Sequence, residues 1–189
     1  MTIVDFVSPK DYFHDRIAAA TEQLNLSLAE DIEYYLVNLL CEFIKPADMT
    51  IDELNLLDTP LALILKKATE SSPNHQLKIY KKLGDVSLYI AGYFQDSFAR
   101  KAVNASYYVS MGSSAYHSAS RLMGNRHGDP HFMQMYAGLS KEFQNLVKII
   151  THVSGGIPTQ LDESKIIQLL AQADLKDDEL ISLEDLLAN

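Results

Sequence analysis

The sequence predicts an all-α protein, a compact bundle or orthogonal array of about six main helices followed by an acidic amphipathic C-terminal appendage. Three observations carry this. Apolar residues recur at spacings of three and four over most of the chain, the mark of helices with one buried stripe. Strand-like alternation between paired turn signals is absent. Prolines 9, 60, 73 and 130 each follow a residue that can cap a helix, namely Ser8, Thr59, Ser72 and Asp129, and proline is tolerated at the first helical position.

The elements follow in order. Ser8 and Pro9 open a helix through Ile17 and Leu24 that stops near Asn25. Ser27, with Glu30 three residues on, reads as a capping box ahead of a stripe formed by Ile32, Tyr35, Leu36, Leu39, Leu40 and Phe43. Pro46 closes that helix, and Ala47 to Asp58 is expected to form a short helical turn. Thr59 and Pro60 start a third helix, LALILKKATES, and Ser72 and Pro73 a fourth that runs to Phe94. Gly84 and Gly92 lie inside the fourth. Each costs about 1 kcal/mol relative to alanine, which points either to a closely packed neighbour or to a kink at Gly84–Asp85.

Gln95 to Ala105 is expected to be a turn with a short amphipathic helix. The fifth long helix, from about Ser106 to Met123, is small or apolar on most sides, and so is expected to lie among other helices. Gly124 ends it. Pro130 opens a sixth, with Phe132, Tyr136, Leu139, Phe143, Leu146, Val147 and Ile150 on one face. The domain organisation is therefore a helical core at 1–154, a linker at 155–161 containing Gly155, Gly156 and Pro158, and an amphipathic segment at 162–189.

Composition narrows the function classes. With 47% hydrophobic and 22% charged residues among 189, the chain has the make-up of a globular domain with a full core. A net charge of -9 argues against a nucleic-acid or anionic-membrane surface and favours neutral or basic partners. The single cysteine, Cys41, precludes an intrachain disulfide and fits a reducing compartment. The N-terminus lacks a signal-peptide pattern and no run reaches the roughly 18 apolar residues of a membrane span. The expected location is the cytoplasm.

No motif names a reaction. Gly-x-Ser-x-Gly, Walker A, Gly-x-Gly-x-x-Gly and His-Glu-x-x-His patterns are missing, as is the Glu-x-x-His spacing of a di-iron bundle. No cofactor is expected. His127, Asp129 and His131 crowd metal-ligating residue types into one loop, but Gly128 and Pro130 interrupt any shared helix face, and Asp129 serves equally as the cap of the sixth helix. No metal is expected. Arg100, Lys101, Arg121 and Arg126 gather basic charge near helix ends, suited to an anionic ligand, to the acidic tail, or to helix C-termini.

Two features offer function. Between Gly84 and Gly124 tyrosines alternate with Ser, Ala and Gly. Tyr89, Tyr93, Tyr108, Gly112, Tyr116 and His117 could line an aromatic cleft between the fourth and fifth helices for a small molecule, or simply pack. Residues 162–189 hold eight acidic residues against two lysines. There Leu180, Leu183, Leu186 and Leu187 form an apolar edge flanked by Asp178 and Glu184, a pattern suited to docking in a groove. The preferred expectation is a non-enzymatic helical protein acting through protein contacts as adaptor, regulator or dimeric scaffold, with a homodimer as one form it could take. The alternative is a small-molecule-binding protein or unrecognised enzyme that uses the tyrosine cleft.

Overall fold

The computed structural model describes residues 8–43, 50–51, 54–55, 59–94, 105–125 and 128–155. The described residues form an all-α molecule with packed helix contacts: α1 (Pro9–Gln23), α2 (Glu30–Phe43), α3 (Leu61–Thr69), α4 (Pro73–Tyr93), α5 (Ala105–Asn125), α6 (Pro130–Lys141) and α7 (Phe143–Ser154). The segment 162–189, with Leu180, Leu183, Leu186, Leu187, Asp178 and Glu184, lies outside the described residues. So do Arg100, Lys101, Arg126 and His127.

Local chemistry sets most of the helix starts. The Ser8 hydroxyl accepts from the Asp11 backbone N–H at 3.2 Å and donates to its carboxylate at 2.6 Å, so an orphan donor of the first turn is satisfied ahead of Pro9. Asp129 accepts from the His131 N–H at 2.9 Å and caps α6 in the same way. At α4, Ser72 occupies the cap position without a side-chain bond, and Pro73 supplies the pre-set φ. Asn25, at φ 52°, turns the chain out of α1, a conformation asparagine tolerates better than most residues.

Three expectations on helix limits change. α2 begins at Glu30, not directly after Ser27, and the Glu33 N–H bonds the Ala29 carbonyl at 3.0 Å. Within Ala47 to Asp58, Thr50–Ile51 (β1) pairs antiparallel with Leu54–Asn55 (β2). β-branched Thr50 and Ile51 favour an extended backbone over a helical turn there. The expected sixth helix is two helices, α6 and α7, parted at Glu142 (φ -88°, ψ 5°). Next to the break, the Ser113 hydroxyl of α5 donates to the Ser140 carbonyl at 3.0 Å, and the Ser140 hydroxyl donates to the Ser113 carbonyl at 2.9 Å. This reciprocal clasp draws the end of α6 toward α5.

The centre of the molecule is the α4–α5 pair, the most extensive helix contact, with α6 on α5, α7 and α3 on α4, and α1 joining α2 to α7. One cluster of buried side chains runs through all seven helices, from Phe13 and Ile17 through Leu36, Leu65, Leu83 and Tyr116 to Leu146 and Ile150. α4 stays unbroken through Gly84 and Gly92 because neighbours fill their faces. A Cβ on Gly84 would stand 2.6 Å from the Tyr116 ring, and one on Gly92 2.5 Å from Ile150. Close packing, not a kink, explains both glycines.

Candidate functional site

Among the described residues polar chemistry gathers at a place inside the bundle and at another on its surface. Inside, Asp85 of α4 is 1% exposed, a position a carboxylate occupies only when fully bonded. Its Oδ1 accepts from the Tyr35 hydroxyl at 2.5 Å and the Tyr116 hydroxyl at 2.8 Å, and its Oδ2 accepts from Lys81 Nζ at 2.6 Å. Lys81, one turn earlier on α4 and 39% exposed at its side chain, stands with its ammonium 5.2 Å from the centre of the Tyr35 ring. The rings of Tyr35, Tyr116 and Tyr136 meet at centroid distances of 6.2, 6.4 and 6.3 Å. A carboxylate, an ammonium and three phenol rings from α2, α4, α5 and α6 thus form one buried junction.

Burial, and then the Asp85 charge, hold the Tyr35 and Tyr116 phenols well above the usual tyrosine range. Burial would lower the Lys81 ammonium, but Asp85 at 2.6 Å outweighs it and raises the value. The junction therefore keeps two neutral donors and one cation on a single carboxylate. This is a well-satisfied arrangement that ties four helices together.

The tyrosine-rich stretch supplies most of the remaining interior. Tyr89, Tyr108 and Tyr116 are buried, Tyr93 is half-buried and His117 of α5 is exposed. Tyr89 stacks on Phe43 with centroids 4.5 Å apart and also meets Tyr93 at 4.6 Å. At Gly112 an added Cβ would lie 2.6 Å from Cε2 of Phe143 and 2.7 Å from the Ser87 Cβ. The structure thus brings Gly112 against α4 and α7, and Tyr116 against Asp85, while His117 points away from them. Burial raises Tyr89 and Tyr108 above the usual range and lifts Tyr93 to about 12. Cys41 is partly buried against the core, and burial raises its thiol.

On the surface, α1, α2 and the start of α6 enclose an open groove of about 730 Å³. α1 contributes Lys10, Asp11 and His14, α2 contributes Glu30, Asp31, Glu33 and Tyr34, and α6 contributes His131. Tyr34 is 65% exposed, with Lys10 Nζ 5.9 Å from its ring centre. His14 lies between the carboxylates of Asp15 at 3.6 Å and Glu33 at 3.5 Å. Asp129 serves as the α6 cap and exposed His131 lines the groove rim. Among the described residues no three His, Cys, Asp or Glu side chains converge in a way that could hold a metal ion.

Sequence reasoning missed both Asp85 and the groove. A readable signal for the first was Lys81 four residues before a lone carboxylate in an apolar stretch of α4. For the second it was Tyr34 standing off the apolar stripe of α2 among Glu30, Asp31 and Glu33. No helix among the described residues is long and apolar enough to cross a membrane. Compared with protein-family models, curated proteins and solved structures, the chain matches none of them.

Proposed function

We propose that this is a non-enzymatic cytoplasmic helical protein that works through contacts with other proteins or with a second copy of itself, as an adaptor, regulator or dimeric scaffold. The observation that carries the reading is the outward-facing groove, where Tyr34, 65% exposed, stands among carboxylates from two helices. A large ring held in solvent beside fixed charges is the kind of feature that protein interfaces use. The leucine edge of residues 162–189, with Leu180, Leu183, Leu186 and Leu187 as anchors and Asp178 and Glu184 as steering charges, supplies a second contact in this reading.

The alternative, a small-molecule or enzyme pocket between α4 and α5, has less support, because Phe143 and Ser87 occupy the space in front of Gly112. Truncation after Gln160 tests the proposal. The shortened protein is expected to keep its helical core while its assembly state, measured by analytical ultracentrifugation, or its capture of a partner changes. Unchanged assembly and capture would remove the tail from the account.

A further inference from the structure

We propose that the groove between α1, α2 and α6 docks a basic amphipathic segment of a partner protein, an inference that rests on the protein-contact reading above. Asp11, Glu30, Asp31 and Glu33 set four carboxylates along the groove against one lysine, Lys10. The first three acids of α2 sit in its first turn, where they already complement the positive end of the helix. Glu30 is exposed and Asp31 and Glu33 are half-buried, and among the described residues the cation that another element brings to them is His14, 3.5 Å from Glu33.

Tyr34 gives the groove more than charge. Its ring is 65% exposed, and the chain's own Lys10 ammonium stands 5.9 Å from its centre. The ring face is thus already disposed toward a cation, and a lysine or arginine of a partner can take the same place while a carboxylate accepts its hydrogen bonds. Val37, buried at the floor of the groove, provides an apolar base for the aliphatic stem of such a side chain. A neutral polar segment would gain none of this, and an acidic one would in addition meet like charge.

The test uses the full-length protein and two fluorescein-labelled peptides: one in which Lys and Arg alternate with Leu and Trp, and one in which Glu replaces each cation. Fluorescence anisotropy should show binding of the first and not of the second, weakening as salt rises. Tyr34→Ala should weaken it about two- to fivefold, and its exposed position leaves the core untouched. Glu30→Lys with Glu33→Lys should weaken it by about tenfold or more, whereas Glu70→Lys, at the C-cap of α3 and outside the groove lining, should not. Equal binding of both peptides, no binding of the basic one, or a loss at Glu70→Lys matching that of the pair would overturn the groove. A tail-dependent change in assembly would then still support the broader reading, so the two fail separately.

Discussion

The Tyr116 hydroxyl donates to the Asp85 carboxylate at 2.8 Å, across the α4–α5 interface and out of reach of solvent. The bond places a charge at the centre of the longest helix pair, and three donors make that charge tolerable. A sliding of α4 against α5 or α2 would separate Asp85 from Tyr116 or Tyr35 and leave buried polar groups unsatisfied.

Removing the acceptor should therefore cost more than removing one donor. Asp85→Ala orphans two phenols and frees Lys81, and urea unfolding should report a loss of about 2–4 kcal/mol. Tyr116→Phe, which leaves Tyr35 and Lys81 on the carboxylate, should cost about 1–3 kcal/mol. An Asp85→Ala protein as stable as the wild type would show that the junction contributes nothing.

Gly112 and Gly155 should respond oppositely to an added methyl group. Gly112→Ala drives a methyl into Phe143 and Ser87, so overpacking of about 1–3 kcal/mol is expected. Phe143→Leu in the same chain should recover part of it. Gly155, with φ -57° and 3.7 Å to the nearest atom its Cβ would meet, should accept alanine with no loss or with a gain of up to about 1 kcal/mol. Thermal melts of the three variants check the contrast.

Alkaline pH should unfold the protein through its tyrosines. In the unfolded chain the phenols ionise near pH 10, whereas Tyr35 and Tyr116 are held well above that value by burial and by Asp85. Above about pH 10 the native state keeps protons that the unfolded state releases, so stability falls as pH rises from there and is unaffected below it. Tyr89 and Tyr108, also raised by burial, add to the fall. Tyrosinate absorbance from these residues should appear together with the loss of helical circular dichroism. Ionisation of all tyrosines near pH 10 with the helices intact would contradict the buried junction.

What the sequence revealed divides by range. Ser8–Pro9, Pro60, Ser72–Pro73 and Asp129–Pro130 mark helix starts that the structure keeps, because capping and the proline ring act within one turn. Gly84 and Gly92 point in sequence to close packing or to a kink, and their neighbours Tyr116 and Ile150, which decide for packing, come from other helices. The parting of α6 from α7 was illegible, since its partner Ser113 comes from another helix. The same holds for the groove, whose walls belong to the neighbouring α1 and α2 and to α6, which comes much later in the chain. The sequence offers Tyr116 as a lining residue of a cleft, whereas its bond to Asp85 depends on how α4 and α5 face each other.

Native mass spectrometry of the purified full-length protein beside its truncation after Gln160 tests the central claim most directly. The account predicts that both species carry no retained small molecule or metal and that the subunit number or partner binding differs between them. A stoichiometric adduct retained by both would contradict it and move the function to a pocket.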